Sequence, residues 1–469
     1  MSSAIVVGSG PNGLACAAVL AGRRVEVTVI EAAERIGGGV RSSELTLPGL
    51  LHDECSAFHP MAVGSPAFTS LDLTGHGLEW LWPEVDLAHP LDGGGGATLL
   101  RSIEATAAGL GAGGPAWERV FGRSARGYKT LVEDIYQPLL RIPRHPLRLA
   151  SFGAASALPA GALARLLGTP EAAALFGGVA AHSFSRLDRP FSAAIGVALI
   201  SAGHADGWPV AKGGSAAIAE AFAGALRARG GRIETGRPVR SLSELPHADA
   251  VVLDLSPRGV LELAGERLPS RVARAYRRYR FGPSAFKLDL AVEGGVPWAY
   301  EPARRAGTVH VGGSFAEIAA AERDTNRGRM PERPFVLVGQ QYLADPGRSQ
   351  GDLHPVWAYA HVPHGYPGDA TEAVLDQVER FAPGLRERIV ARHVTAPAAI
   401  EAANPNLVAG DIAAGANDAR QLLFRPRLTP NPYSTGIPGV FICSAATPPG
   451  AGAHGINGYN AAEAVLRTL

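Results

Sequence analysis

AIVVGSGPNGLACAAVLAGRRVEVTVIE, residues 4–31, holds the pattern from which the rest of the chain can be read. Ala4 to Val7 is a short apolar run of the kind that forms a strand buried on both faces. GSGPNG follows, then LACAAVLAG in small and apolar helix formers, then VEVTVIE as a second strand ending on Glu31. Strand, glycine loop, helix and strand within about 30 residues make a βαβ unit. Gly8 permits the tight turn, Gly10 lets the backbone approach a pyrophosphate, and Gly13 lets the helix pack close to the strand. Pro11 and Asn12 complete the loop, which points the free N–H groups of a helix N-terminus at an anion. Glu31 stands 18 residues beyond Gly13, near the spacing at which a carboxylate meets a ribose hydroxyl, with Ala32 beside it. An acid there argues against a 2′-phosphate, so the dinucleotide is FAD or NAD rather than NADP.

The next stretch, AAERIGGGVRSSELTLPG, favours FAD. A second glycine cluster at Gly37, Gly38 and Gly39 leads through Val40 into Arg41 and Ser42. Glycine suits close backbone passage beside a phosphate or ring, and Arg41 can neutralise a phosphate. A simple NAD domain has no need of that crossing.

GSGPNG, the acid at Glu31 and ERIGGGVRS resemble the opening of the phytoene-desaturase-like FAD oxidoreductases, relatives of the flavin amine oxidases. LHDECSAFHPM, WPVAKGGSAAIAEAF, SAFKLDLAVEGGVPW and FICSAATPPGAGAHGINGYNAAEAVL are similar to the same group, and closest to its branch called NAD(P)/FAD-dependent oxidoreductases. The resemblance runs over essentially the whole length. In the wider superfamily an arginine commonly follows the paired glycines; here Gly39 takes that place and Arg41 comes two residues later. The resemblance implies an α/β (α+β mixed) fold: a discontinuous Rossmann-type FAD-binding domain at 1–75, 205–265 and 430–469, and a sheet-and-helix substrate domain with a helical cap at 76–204 and 266–429. It implies that the backbone near Val239 lies against the adenine, and that Ala446, Gly455, Ile456 and Asn457 border the flavin. Some flavin amine oxidases hold a lysine near flavin N5 through a water, a part for which Lys287 is the candidate here.

Other residues are read directly. Pro115 to Gln137 carries apolar residues at three-to-four spacing and predicts one helix. Ser215 is expected to cap the helix that follows it, and RIETG, RPVRSL and ADAVVLDL to form short strands. In SAFKLDLAV, Phe286, Leu288, Leu290 and Val292 share one face, so Lys287 and Asp289 share the other; an ion pair at a strand surface competes with a chemical role for Lys287. His454 either orients a substrate or moves a proton, or is a hydrogen-bonded structural histidine; His59 faces the ring from the other side or is structural in the same way. Asp53 and Glu54 are adjacent, point to opposite faces and do not form an acid–base pair. No catalytic triad and no metal cluster is expected, because a flavin carries its own chemistry.

Composition narrows the function classes. The chain has 469 residues, 46% hydrophobic and 19% charged, which excludes disorder, and a net charge of +1 with 7% aromatics, which gives nucleic acid neither a field nor a stacking platform. Cys16, Cys55 and Cys443 have no ligand-like spacing and indicate a reducing compartment. No export signal precedes the first strand, and Phe191 to Gly203 is too short to span a bilayer, so a cytoplasmic protein is expected. Leu139 to Leu167, with Arg141, Arg144, Arg148 and Arg165 among leucines and alanines, reads as a helical cap or as a segment resting on lipid. The expected activity is transfer of a hydride from a small apolar or amine-bearing substrate to flavin N5. The alternatives are an amine oxidase releasing peroxide and a flavin-stabilised isomerase or binding protein. Glycine clusters at 93–96, 111–114, 213–214 and 450–458 do not complete a second strand–loop–helix unit, so oxygen or a quinone is the expected acceptor rather than a nicotinamide.

Overall fold

The computed structural model describes residues 2–138 and 140–469. The 4–31 unit forms as a strand at Ser3–Val7, a helix at Pro11–Gly22 and a strand at Glu26–Ile30. Ser3–Val7 is the central strand of a five-stranded sheet, ordered Val440–Ile442, Ala250–Leu253, Ser3–Val7, Glu26–Ile30, Arg232–Glu234, with every pairing parallel. A parallel sheet needs cover on both faces. Pro11–Gly22, Ala216–Arg227 and Ile456–Leu466 bury one core, and Pro257–Ala264 with Ser270–Arg277 bury the other. A Cβ at Gly458 would overlap the carbonyl of Asn12, so the last helix crosses the first without a side chain between them.

A second sheet of seven strands runs in the order Ile389–Thr395, Ser284–Glu293, Leu353–Val362, Val336–Gly339, Ala306–Val311, Val85–Pro90, Gly96–Leu99. Its pairings are antiparallel except that of Ala306–Val311 with Val85–Pro90. Alternation divides its residues. Phe286, Leu288, Leu290, Val309, Val338 and Ala358 pack under the Thr371–Glu379 helix in one core. On the opposite face, register aligns Thr308, Gly339, Trp357 and Asp289 in one row and His310, Leu337, Tyr359 and Lys287 in the next. That face turns inward, toward the parallel sheet and a helical layer that includes Pro170–Ala181 and Ala194–Asp206. The fold class is therefore the mixed α/β one expected, with a Rossmann-type sheet assembled from separated pieces of chain.

Local expectations fare differently. The 115–137 helix is two helices, Gly114–Arg126 and Tyr128–Ile135. Gly127 breaks it where the Arg148 guanidinium packs against the bare Cα, and glycine is the weakest non-proline helix former. RPVRSL forms no strand; a 3-10 turn, Leu242–Glu244, starts on its last residue. Ser215 precedes Ala216–Arg227, but its hydroxyl bonds His59 Nε2 at 3.0 Å instead of capping the helix. Lys287 and Asp289 do pair, but not at a surface: their side chains are 5% and 0% exposed, because the polar face of their strand is enclosed.

A buried ionic junction ties the Pro346–Arg348 turn to His52–Asp53 and to the residues leading into the Ala216–Arg227 helix. Arg348 donates to Asp53 Oδ2 at 2.6 Å, Asp345 Oδ2 at 3.1 Å and the Ala211 carbonyl at 2.8 Å. Ser215 N and Ser42 Oγ add 2.7 Å bonds to Asp53. Burial alone would raise the Asp53 pKa; the Arg348 charge and these donors outweigh it and hold the carboxyl below its ordinary value. Glu54 points the other way, to Arg35 at 2.7 Å on the surface. Ile142 and Leu147, 92% and 78% exposed, stand in the arginine-bearing segment; its first residue, Leu139, lies outside the described residues. Among the described residues no single helix is long and apolar enough to cross a membrane.

Candidate active site

A cavity of about 600 Å³ runs from the first glycine loop to the inward face of the seven-stranded sheet, a volume typical of small-molecule sites. One end is made of backbone. Gly8, Gly10, Pro11 and Asn12 line it, and Gly38, Gly39, Val40 and Arg41 lie across from them. The two glycine stretches touch: a Cβ on Gly38 (φ +53°) would come within 3.1 Å of Gly10 Cα. The Pro11–Gly22 helix begins after Gly10, which has no side chain to cap it; Asp254 Oδ2 takes the Gly13 N–H, and the partial positive end of the helix lies at the cavity. Glu31 ends its strand with the carboxylate fixed by Ser9 N at 2.8 Å, Ser9 Oγ at 2.5 Å and Ala33 N at 2.9 Å. Arg41 sits 3.8 Å from Glu31 and donates to the Arg35 carbonyl at 2.9 Å and the Ala403 carbonyl at 3.3 Å. A bare cradle, a helix N-terminus and an acid at the strand end fit a dinucleotide.

The other end is made of side chains. Phe58, Leu199, Trp208 and Leu337 give apolar walls, with Cys55, His182, Thr308, Trp357 and Tyr359 among them. The Trp357 and Tyr359 rings meet edge to face at 5.0 Å. Lys287 lies behind them, 6.0 Å from the Trp357 ring centre and paired to Asp289, whose other oxygen is 3.3 Å from His52 Nδ1. Burial pushes the Cys55 thiol up to about 11 against the opposing pull of the Lys287 charge, so it stays a thiol at neutral pH.

Of the residues singled out in the sequence, Gly8, Gly10, Pro11, Asn12, Glu31, Ala32, Gly38, Gly39, Val40, Arg41, Val239 and Ala446 line this cavity. Gly13 stands one turn behind it, donating to Asp254 Oδ2 at 3.0 Å, and Ser42 is turned to Asp53. His59 is buried off the cavity against Ser215, and burial lowers its pKa to about 4. In the final loop the wall is Ala451, Gly452 and Ala453. His454 turns away: its Nδ1 accepts from Ile456 N at 3.2 Å, its ring packs on Tyr136 at 5.5 Å, and burial holds its pKa near 4. That is the arrangement of the structural histidine. Gly455 (φ +67°) packs on Phe222, and Asn457 donates to the carbonyls of Thr447 and Gly450, tying the loop rather than lining the cavity.

The sequence reading missed Asp254. It follows the buried Ala250–Leu253 strand as Glu31 follows its own, and that shared position, an acid closing an apolar run, was the available signal. Its Oδ2 lies 2.6 Å from where a Gly10 Cβ would be. Burial pushes its carboxyl up to about 6, against the Gly13 N–H bond, and the Glu31 charge adds to the rise. Asn404 and Asn406 were missed as well; Asn406 Nδ2 donates to the Asp254 carbonyl at 2.8 Å. Both come from the 266–429 stretch assigned to the substrate side, yet they sit against the glycine loop.

Residues 6–71 match the family described as an NAD(P)-binding Rossmann-like domain. The chain is 23% identical over 300 residues to pyridine nucleotide-disulfide oxidoreductase domain-containing protein 2 of Rattus norvegicus, covering 56% of this chain and 52% of that one. It thus spans about half the length of the curated relatives it matches. Among solved structures, an oxidoreductase from Methanosarcina mazei matches with a TM-score of 0.63 at 16% identity, over 99% of this chain and 100% of the other. Putrescine oxidase, solved with putrescine bound, matches with a TM-score of 0.62 at 15% identity over 99% of both chains. The chain shares its fold with putrescine oxidase. Both sheets fall within that likeness.

Proposed function

We propose that this chain is an FAD-dependent oxidoreductase, desaturase- or dehydrogenase-like, acting on a small apolar or amine-bearing molecule. The observation that carries this reading is the continuity of the cavity. A backbone cradle and a ribose-binding acid open without a break into an apolar chamber, so a dinucleotide held at one end reaches a substrate at the other. Bound FAD would supply hydride acceptance at N5. Gly10, Gly38 and the Pro11–Gly22 N-terminus would hold the pyrophosphate, Glu31 the ribose, and the wall near Val239 the adenine, while Ala446 and Ala451–Ala453 permit close approach to the ring. Lys287 would act through the cavity wall by charge, a role supported by its position 6.0 Å from the Trp357 ring centre. His454, neutral and turned away, keeps the final loop in shape.

The amine-oxidase reading stands second, favoured by the fold it shares with putrescine oxidase and by the Trp357–Tyr359 pair. Oxygen or a quinone serves as acceptor in both. Anaerobic mixing of the purified protein with neutral apolar molecules and with amines tests the activity. Bleaching of the flavin band by at least one class supports an oxidoreductase, and Lys287→Met slows that bleaching without loss of flavin. A bound flavin that no candidate reduces points instead to the isomerase or binding role.

A further inference from the structure

Residues 402–407 line the cavity. By sequence they follow the Ile389–Thr395 edge strand of the seven-stranded sheet, yet they are built into the nucleotide end. Their shape follows from the run Asn404, Pro405, Asn406. A residue ahead of proline is pushed out of the helical region, so the Pro397–Ala403 helix stops and Asn404 is extended, at φ −147° and ψ 99°. Asn404 Oδ1 then accepts from Asn406 N at 3.2 Å, the local bond that favours asparagine in turns. Asn406 is spent on the chain leaving the parallel sheet, accepting from Ser256 N at 2.7 Å and donating to the Asp254 carbonyl at 2.8 Å. Glu401 accepts from Ala409 N at 2.7 Å and pairs with Arg258. The turn is thereby pinned to the 254–258 segment.

One donor in this network is left over. The Asn404 carbonyl oxygen is committed to the turn, which assigns the other amide atom as Nδ2. Among the described residues Nδ2 has no hydrogen-bond partner. It is open to a ligand, because Asn404 is half-buried and lines the cavity. It also stands where the two glycine stretches meet. A Cβ on Gly38 would lie 3.7 Å from Asn404 Nδ2 and 3.1 Å from Gly10 Cα, so the side-chain donor and the bare backbone flank one point. The arginine expected at a phosphate is otherwise engaged. Arg41 gives Nε to the Ile36 carbonyl, Nη1 to that of Ala403 and Nη2 to that of Arg35, and its charge lies 3.8 Å from Glu31.

We propose that Asn404 Nδ2 is a diphosphate-binding donor, so that a residue of the sheet-and-helix segment completes the dinucleotide site beside the N-terminus of the Pro11–Gly22 helix. A phosphate oxygen accepts from Nδ2, a bond strengthened by the charge of the acceptor. The inference rests on the dinucleotide reading of the cavity, not on flavin, because FAD and NAD share the diphosphate. It gives the turn a consequence for the rest of the molecule. Ile389–Thr395 pairs with the strand that carries Lys287, so a dinucleotide held by Asn404 ties the chain leaving that sheet edge to the parallel sheet.

Asn404→Asp separates this role from the turn. Aspartate keeps the Oδ1 acceptor and closes the same turn, but sets a carboxylate where the donor stood. The purified protein, carrying its dinucleotide, is diluted and the rate of dinucleotide release is followed by filtration and chromatography; denaturant unfolding is measured on the same samples. Asn404→Ala should release about tenfold faster than wild type, the worth of one hydrogen bond to a charged group. Asn404→Asp should release faster still at low salt, the excess shrinking in 1 M salt as the carboxylate is screened, with wild-type unfolding. Wild-type release from Asn404→Asp would overturn the proposal and leave Asn404 a turn residue. Equal acceleration in both variants at both salts, with weakened unfolding, would overturn it too. If Asn404→Asp is purified already empty, Asn404→Ala decides: about tenfold faster release supports the contact, and a wild-type rate overturns it. The two readings fail separately. NAD released in place of FAD, still faster from Asn404→Asp, removes the flavin and keeps the contact; FAD released at one rate from both proteins does the reverse.

Discussion

At the nucleotide end of the cavity the wall comes from 8–12 and 38–41, largely main chain, whereas at the chamber end it comes from Thr308, Leu337, Trp357 and Tyr359 on three neighbouring strands. At the first end a Cβ on Gly8, Gly10 or Gly38 would crowd Asp254 or the facing backbone, so its shape depends on where glycine falls in the sequence. The second owes its shape to strand register, which brings together residues some fifty positions apart. One surface is set by local chain geometry and the other by tertiary pairing; on the proposed function the first holds the dinucleotide and the second selects the substrate.

The effect that breaks this contrast most directly is at Gly13. A Cβ there would overlap the Gly8 carbonyl and reach 3.1 Å from Asp254 Cβ. Gly13→Ala should therefore cut the flavin retained per chain more than about tenfold, a loss of over about 1.4 kcal/mol in binding, read from visible absorbance after purification. Thr308→Val at the other end should retain full flavin.

Next comes the buried ionic junction at Arg348. Arg348→Met leaves Asp53 and Asp345 buried without their cation, and should cost about 3–5 kcal/mol, measured by denaturant unfolding near pH 7. The Asp53 pKa is depressed in the folded state. Its stabilisation is thus present above the unfolded value near 3.8 and is lost as pH falls through the lower folded value. The gap between wild type and variant should narrow below about pH 4.

A smaller effect sharpens the nucleotide end. The Asp254 pKa is raised from 3.8 to about 6, so the folded state holds a proton that the unfolded state releases. Stability is full below pH 3.8 and falls as pH rises to about 6, by on the order of 3 kcal/mol. Asp254→Asn should remove that slope in the cofactor-free protein, seen as a melting temperature that no longer drops across this range. The smallest effect belongs to Glu54, the neighbour of Asp53. Its bond to Arg35 is at the surface, and Glu54→Gln should shift stability by less than about 1 kcal/mol.

The contrast also accounts for what could be read from sequence. The fold class was legible because GSGPNG, a flanking buried strand and a terminal acid lie within one short stretch, and because alternation in SAFKLDLAV separates two faces. Alternation says which residues share a face but not whether that face meets water, and this is why the Lys287–Asp289 pair was expected at a surface and lies inside. Asp254 and Asn406 reach the glycine loop only through sheet order and a distant turn, which no spacing rule encodes. His454 and His59 sit in the expected neighbourhood, yet the direction of each ring depends on packing against Tyr136 and Ser215.

The central claim is that one cavity joins an FAD cradle to a substrate chamber. Denaturing the purified protein and identifying the released chromophore by chromatography tests it most directly. The account predicts FAD, released intact without covalent attachment, in a ratio approaching one per chain, and absent from Gly13→Ala. A colourless protein, or one that releases NAD or NADP in place of FAD, would contradict it.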